Sequence, residues 1–236
     1  MAGGPHFMLI LAIDTSWKHG SLALARGDAR EFELLETASL TGGAFSAELV
    51  PQIAAALARR SLRKQEIDGF TAVSGPGSFT GLRVGLAAIK GLVEVLKKPI
   101  AIVSVLEALA IASGGNRRVF AALDAQREEV FLGEYEVRSE TFEATSLQQE
   151  VLLTQESFLR ALPKAATVVT PDASIAALVL PAGTTVRQIE RPGAELIARI
   201  GIQKVLAGQT VSADALDANY VRRSDAEIFS APARKP

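Results

Sequence analysis

The 236-residue sequence predicts an α/β protein built from two related halves, each with a mixed sheet and flanking helices. Three short, closely spaced strands open the chain, a pattern that is typical of an antiparallel meander. Strands and helices then alternate, as in a parallel sheet covered by helices. An apolar strand that ends in aspartate and continues into a hairpin occurs twice, at Asp14 and at Asp124. This weak duplication relates the two halves.

The first half begins with a continuously apolar run, Phe7–Ile13, which is typical of a buried strand. A helix is predicted over Ser46–Arg60 with Ser46 as its N-cap, and Pro51 predicts a late start or a kink. A longer helix, from about Thr80 to Leu96, follows a glycine-rich loop. The other predicted elements are strands at Ser21–Ala25, Glu31–Thr37, Gly69–Val73 and Pro99–Val103 and a helix at Val105–Ala112.

Breaker residues at Ser113-Gly114-Gly115-Asn116 mark the predicted domain boundary. The chain is thereby divided into residues 1–114 and 115–236, and the final segment is allowed to pack back on the first half. Both termini, Met1–Phe7 and Ser224–Pro236, are expected to fray, and the first is interpreted as a leader rather than a signal peptide. The elements predicted in the second half are strands at Val119–Leu123, Val130–Tyr135, Glu150–Leu153 and Thr167–Val169 and helices at Gln155–Leu162, Ser174–Leu180 and Gly193–Ala207.

The composition excludes several classes of site. With 25 basic and 26 acidic residues, the chain is not expected to supply most of the phosphate contacts to a nucleic acid. The absence of cysteine and the presence of only two histidines, His6 and His19, exclude thiolate zinc sites and most catalytic zinc sites. No apolar run approaches the ~18 residues that cross a bilayer, so a cytoplasmic location without membrane partners is expected.

The loop Gly75-Pro76-Gly77-Ser78-Phe79-Thr80 leads from a buried strand into the long helix. Its glycines permit positive φ and close backbone approach, and Ser78 or Thr80 can cap the helix. The free N–H groups of such a helix start can hold an anion, so Gly75, Gly77, Ser78 and Thr80 are candidate phosphate contacts. A tight turn needed only for packing is the alternative. The spacing matches neither a dinucleotide-binding loop, a Walker A loop nor a G-x-S-x-G elbow.

The long helix carries an apolar stripe made of Leu82, Leu86, Ile89, Val93 and Leu96. Charged residues mark the opposite side: Arg83, Lys90, Glu94 and Lys97. Gly81, Gly85 and Ala88 form a small-residue edge that permits close approach of another segment. Because a helical glycine costs ~1 kcal/mol relative to alanine, the two glycines indicate a packing purpose. Either this chain or a partner's helix can supply the segment that packs there.

Asp14-Thr15-Ser16 and Asp124-Ala125-Gln126 follow the duplicated strands. A carboxylate at a strand end that faces an interdomain cleft can hold a hydrated divalent ion under the phosphates of a nucleotide. Asp14, Thr15, Ser16 and Asp124 are therefore candidate nucleotide contacts. The alternative is that each aspartate only caps its turn.

Four segments together resemble the TsaB (YeaZ) family: Ile10–Ser16, Gly75–Arg83, Ala122–Ala125 and Tyr220-Val221-Arg222-Arg223. The match covers nearly the whole chain, and GPGSFTGLR after a strand is its most specific part. The resemblance implies the actin-like, sugar-kinase/Hsp70 fold with two related subdomains, in agreement with the duplication.

The resemblance also implies a noncatalytic scaffold in the bacterial complex that forms threonylcarbamoyladenosine next to the anticodon of tRNAs reading codons that start with A. Such proteins pair with the paralogue TsaD, help to recruit the ATPase TsaE, form homodimers and meet tRNA only through the complex. They are expected to have no catalytic residue or metal site, and ATP, ADP or Mg²⁺ is expected only within the complex. Carried over, the partner interface comprises Leu49, Ile53, Leu57, Gly81, Leu82, Gly85, Leu86 and Ile89.

Two other functions stay open at this point. The first is an actin-fold ATPase or phosphotransferase that acts through Asp14 and Asp124. The second is a peptidase-like protein acting on the TsaD partner, although two histidines are too few for most metal-dependent peptidase sites.

Overall fold

The computed structural model describes residues 7–115 and 117–216. A five-stranded sheet lies in the first half. Its central strand β1 (Met8–Asp14) pairs antiparallel with β2 (His19–Gly27) and parallel with β4 (Gly69–Gly75). The flanking strands are β3 (Phe32–Thr41) beside β2 and β5 (Ile100–Ser104) beside β4. β1 and β4 are almost completely buried, as their continuous apolar runs predict.

The second sheet repeats this topology. Its central strand β6 (Arg117–Asp124) pairs antiparallel with β7 (Glu129–Arg138) and parallel with β10 (Thr167–Thr170). The remaining strands are β11 (Thr185–Gln188), parallel to β10, and β8 (Glu143–Ser146) and β9 (Val151–Thr154), which both pair antiparallel with β7. Two mixed sheets with matching strand order confirm the predicted fold class, the actin-like fold with two related halves.

Helices cover the sheets at the positions that the alternation predicts. In the first half, α1 (Phe45–Arg59) joins β3 to β4, and α2 (Phe79–Leu96) joins β4 to β5. Ser78 caps α2, because its Oγ accepts a hydrogen bond from the amide of Gly81 at 3.2 Å. The other helices are α3 (Val105–Ala112), α4 (Gln155–Ala161), α5 (Ala173–Ala176) and α6 (Ala194–Leu206).

Two helices connect the halves. α6 follows the second sheet in sequence, yet it packs against β1, β2, β4 and β5 of the first sheet. α3 follows the first sheet and packs largely against β6 and β7 of the second. Lys204 of α6 donates to Glu107 of α3 at 2.8 Å and to the carbonyl of Ile102 at 2.9 Å. Buried apolar residues of both halves belong to one core. The domain boundary near residue 114 stays a prediction.

Several local predictions need correction. α1 begins at Phe45 and runs through Pro51, so the late start is wrong, and the cap position belongs to Ala44 rather than Ser46. The helix predicted over Ser174–Leu180 is only the single turn α5. β8 and β11 were not predicted, because their sequences, EATS and TVRQ, contain no apolar run. Met1–His6, Asn116 and the predicted C-terminal elements Tyr220–Arg223 and Ser224–Pro236 lie outside the described residues.

No helix within the two described ranges has both the length and the apolar character needed to cross a bilayer.

The small-residue edge of α2 packs within this chain. A Cβ added at Gly81 would overlap the carbonyl oxygen of Thr15, and one added at Gly85 would overlap the Thr15 hydroxyl. By contrast, a Cβ at Gly91, on the outer side of the same helix, would meet no atom within 4 Å in the described structure. The glycines on the two sides of α2 therefore differ in their surroundings: Gly81 and Gly85 are packed against Thr15, whereas Gly91 has open space around it.

We expect opposite effects from two alanine substitutions in α2. Gly81→Ala should lower the free energy of unfolding by about 1–3 kcal/mol, because the added methyl group is forced against a buried backbone carbonyl. Gly91→Ala should raise it by about 0.5–1 kcal/mol, because the exposed helix interior gains a better helix former. Urea unfolding of the dilute monomer measures both changes. Destabilisation of equal size by the two variants would contradict the close approach at Thr15.

Candidate functional site

The two duplicated aspartates close the same kind of turn. In the first half, Oδ1 of Asp14 accepts a hydrogen bond from the amide of Ser16 at 2.8 Å. In the second half, Oδ1 of Asp124 accepts one from the amide of Gln126 at 2.7 Å. Each aspartate therefore forms an Asx turn at the carboxyl end of a central strand. Crevices outside the carboxyl ends of parallel strands are where α/β folds commonly bind ligands.

The glycine-rich loop after β4 packs directly on the Asp14 turn. The amide of Ser78 donates to the carbonyl of Ser16 at 2.7 Å, and a Cβ on Gly77 would overlap that same carbonyl. Gly75 has a φ of +120°, which favours glycine. The structure thus brings together Asp14, Thr15, Ser16, Gly77 and Ser78, and it gives Gly77 a packing role, while a phosphate contact of Gly75 stays a prediction. Thr80 is exposed in the first turn of α2, and its contact with phosphate stays a prediction.

Asp124 belongs to a separate cluster in the second half. Its amide donates to Oδ2 of Asp172 at 2.8 Å, and its own Oδ2 accepts from the hydroxyl of Ser174 at 2.8 Å. Burial raises the pKa of Asp172, and the charge of Asp124 acts in the same direction. The hydrogen bond from the Asp124 amide and the charge of Arg191 oppose this rise.

Arg191 links these two clusters. Its Nη2 donates to Oγ of Ser16 at 3.2 Å, and its Cζ lies 4.8 Å from the centre of the Trp17 ring. Burial lowers the pKa of Arg191, whereas the carboxylates of Asp14 and Asp172 raise it. The guanidinium thus lies against the Asp14 turn, where it is influenced by the charge of one carboxylate from each half.

Sequence reasoning missed both Asp172 and Arg191. Asp172 follows the apolar strand β10 closely, as Asp14 and Asp124 end their own strands, so the same pattern was available to find it. Arg191 has no comparable signal, because it lies in a short connection between β11 and α6. Only the three-dimensional structure places it between the halves.

The carboxylates of both clusters are held by hydrogen bonds within the chain. The carboxylate oxygens of Asp14, Asp124 and Asp172 already accept hydrogen bonds from amides or a hydroxyl. In the described ranges, no group of three or more His, Cys, Asp or Glu side chains is arranged to hold a metal ion. The contacts seen here are therefore those of packed turns, with Arg191 donating a hydrogen bond to the Asp14 turn through Ser16.

The residues predicted for the partner interface lie inside this chain. Six apolar side chains of α1 and α2 are buried against the first sheet: Leu49, Ile53, Leu57, Leu82, Leu86 and Ile89. Gly81 and Gly85 are buried against Thr15. These eight residues therefore position the two helices from within the chain, and their place in a partner interface stays a prediction. The opposite sides of α1 and α2 face away from this core.

Those opposite sides are also apolar. Val50 and Val95 have exposed fractions of 62% and 72%, which is high for branched aliphatic residues. On each helix the outward residues recur at helical spacing, and most are small. We call this surface the helix-pair face, which comprises Ala47, Val50, Pro51 and Ala54 of α1 and Val84, Ala87, Ala88, Gly91 and Val95 of α2. An apolar surface of this kind, on two adjacent helices, is typical of a protein interaction site.

A cavity of about 300 Å³ lies at one end of this face, between the first turns of α1 and α2. Val84 belongs to both the face and the cavity wall. The other lining residues are Trp17, Lys18, Gly42, Gly43, Phe45, Ser46, Ser78, Thr80 and Gly81. The helix-pair face is therefore continuous with the outer side of the Asp14–Trp17 turn.

Comparison with known proteins identifies relatives. The family model described as "TsaD: tRNA N6-adenosine threonylcarbamoyltransferase" matches residues 39–178. The tRNA threonylcarbamoyladenosine biosynthesis protein TsaB of Bacillus subtilis is 33% identical over 151 residues, 62% of this chain and 63% of that protein. TsaB of Escherichia coli is 32% identical over 134 residues, 55% of each chain. The chain thus spans between half and two thirds of the length of these two relatives.

Solved structures agree with the fold. YeaZ from Pseudomonas aeruginosa has a TM-score of 0.75 and 24% identity, with 90% of this chain and 99% of that chain covered. A second structure, of an uncharacterized protein with similarity to peptidase YeaZ from the same organism, has a TM-score of 0.75 and 25% identity. The match covers 91% of this chain and 100% of that chain.

A pair of substitutions tests the structural role of the Asp124 turn. Asp124→Ala should lower the free energy of unfolding by about 0.5–1.5 kcal/mol, because the amide of Gln126 and the hydroxyl of Ser174 lose their acceptor. Asp124→Asn should cost less than half of that, because the amide oxygen still accepts from Gln126. Thermal or urea unfolding measures the difference. Equal losses for the two variants would show that the turn does not depend on this acceptor.

Proposed function

Because the chain belongs to the TsaD family, in its TsaB (YeaZ) branch, we propose that it acts in the formation of threonylcarbamoyladenosine in tRNA. Its role is that of a noncatalytic scaffold that heterodimerises with the TsaD paralogue. The observation that carries the proposal is the helix-pair face, an apolar surface on two helices whose residues are exposed, apart from the half-buried Val84 and Ala88. A partner is required to remove that surface from water.

The shape of the face supports close helix packing. Ala87 and Gly91 lie four residues apart on the outer side of α2. Because both residues are small, the backbone of a partner helix can approach α2 closely at these positions. Val50 and Val95 supply larger apolar groups on either helix. Charged residues of α2, such as Glu94, lie at the edge of the helix-pair face rather than within it. Such a surface suits a TsaD-type partner that offers helices of its own, and the same face supports a homodimer in the absence of TsaD.

The wider assembly follows from the family. We propose that the heterodimer helps to recruit the ATPase TsaE and that tRNA meets the complex mainly through the other subunits. The near-neutral charge of this chain supports an indirect role toward tRNA. The scaffold requires no cofactor of its own, and ATP, ADP or Mg²⁺ acts within the complex. We propose that the protein performs this role in the cytoplasm, where the tRNA substrate is found.

A charge placed on the helix-pair face tests the proposal. Ala87→Arg should weaken binding to the TsaD protein of the same organism by about 100-fold or more, because the guanidinium would be buried at the interface without a partner. Val179→Arg is the matched control, because Val179 is 91% exposed and lies in the second half. It should leave the affinity unchanged.

Isothermal titration calorimetry with the purified TsaD protein gives both affinities, and circular dichroism verifies that each variant is folded. Full affinity of the Ala87→Arg variant would remove the helix-pair face from the interface. Absence of any binding by the wild-type chain would overturn the scaffold role itself.

A further inference from the structure

The hairpin that joins β7 to β8 in the second half contacts α6, the helix that packs on the first sheet. The ring centre of Phe142, the last residue before β8, lies 3.8 Å from the guanidinium carbon of Arg199 in α6. The same carbon lies 5.1 Å from the ring centre of Phe32, the first residue of β3. A guanidinium attracts the face of an aromatic ring and stacks on it. One guanidinium therefore lies over an aromatic ring from each half.

The backbone of Phe142 has a conformation that a bulky residue rarely adopts. Its φ is +53°, in the left-handed region, where a Cβ crowds the neighbouring backbone. Such a conformation persists only where the surrounding structure holds it. The hydrogen bond from the Phe142 amide to the carbonyl of Ser139 is long, at 3.4 Å. The ring packed on Arg199 therefore supplies much of the restraint.

The turn between β2 and β3, in the first half, contacts the same part of α6. The side-chain amide of Gln203, one turn after Arg199, donates to the carbonyl of Asp28 at 3.4 Å and to that of Ala29 at 3.5 Å. A cavity of about 30 Å³ remains among α6 and the two hairpins, which is the volume of about one water molecule in the liquid. The hairpins of the two halves thus meet over α6 with little space left between them.

Both hairpins turn at the amino ends of the central strands. Gly27, the last residue of β2, pairs with Met8 at the start of β1. Val137, near the end of β7, pairs with Arg117 at the start of β6. The aspartate turns follow the carboxyl ends of the same two strands. The contact at Arg199 therefore joins the halves at the ends of the sheets away from the aspartate turns.

We propose that Phe142, Arg199 and Phe32 form a latch that holds the two halves of the chain at one relative orientation. Rotation of two packed domains about their interface is a common conformational change, and a stack that spans the interface resists it. The strained hairpin of the second half is the movable part, and α6 with β3 is the fixed part. The latch needs no partner protein, so it stands or falls independently of the scaffold role.

The distance between the halves tests the latch. The chain has no cysteine, so two introduced cysteines carry spin labels without background labelling. Lys64→Cys labels the first half and Val179→Cys labels the second, because both residues are exposed. Double electron–electron resonance then gives the distribution of distances between the labels. Dilution of the labelled chain with unlabelled chain removes distances between two copies.

Two substitutions each open the latch, and a third is the matched control. Phe142→Ala removes the ring of the second half, and Arg199→Met removes the guanidinium but retains a long apolar side chain. Phe79→Ala is the control, because the Arg83 guanidinium carbon also lies 3.8 Å from the Phe79 ring centre, yet both residues belong to α2.

We expect one narrow distance peak for the wild type and for Phe79→Ala. Phe142→Ala and Arg199→Met should each at least double the width of that peak or add a second one, whereas Phe142→Trp, which retains a ring, should leave it narrow. The double variant Phe142→Ala/Arg199→Met should be no broader than the broader single variant, because both changes break the same contact.

Circular dichroism verifies the fold of each variant, and Arg199→Met decides the result if Phe142→Ala does not fold. A single narrow peak in a folded Arg199→Met variant would overturn the latch. A broad distribution in the wild-type chain would overturn it as well, and that measurement requires no latch variant.

Discussion

The close approach of the Asp14–Ser16 turn to the start of α2 is the constraint on which the remaining features depend. It requires glycine at positions 77, 81 and 85, because any larger residue would overlap Ser16 or Thr15. The contact fixes α2 against the first sheet and so determines which side of that helix faces solvent. It also presents the Ser16 hydroxyl to Arg191. The crevice and the helix-pair face are thus two sides of one packed turn.

The two halves share a topology but differ in their helices. In the first half, the connections around β4 hold α1 and α2, which have 15 and 18 residues. In the second half, the corresponding connections around β10 hold α4 and α5, which have 7 and 4 residues. Only the first half therefore has helices long enough to present a wide apolar surface. This asymmetry explains why a duplicated fold has a single helix-pair face within the described residues.

Most of the fold could be predicted, because its central strands are continuous apolar runs and its turns contain glycine or aspartate. The predicted helix Val105–Ala112 agrees with the structure to the residue, and the structure shows a capping box formed by Ser104 and Glu107 at its start. The interface was harder, because α2 is apolar on both sides and the sequence does not tell which stripe meets the sheet. Arg191 was beyond reach, since its role arises only when residues 175 positions apart in sequence meet.

Hydrogen–deuterium exchange of the chain with and without its TsaD partner tests the central claim most directly, since it reports every backbone segment at once. The account predicts that added protection is confined to α1, α2 and the loop before α2, with the second sheet unchanged. Protection that instead appears in the hairpins after Asp14 and Asp124, with α1 and α2 unaffected, would contradict docking through the helix-pair face.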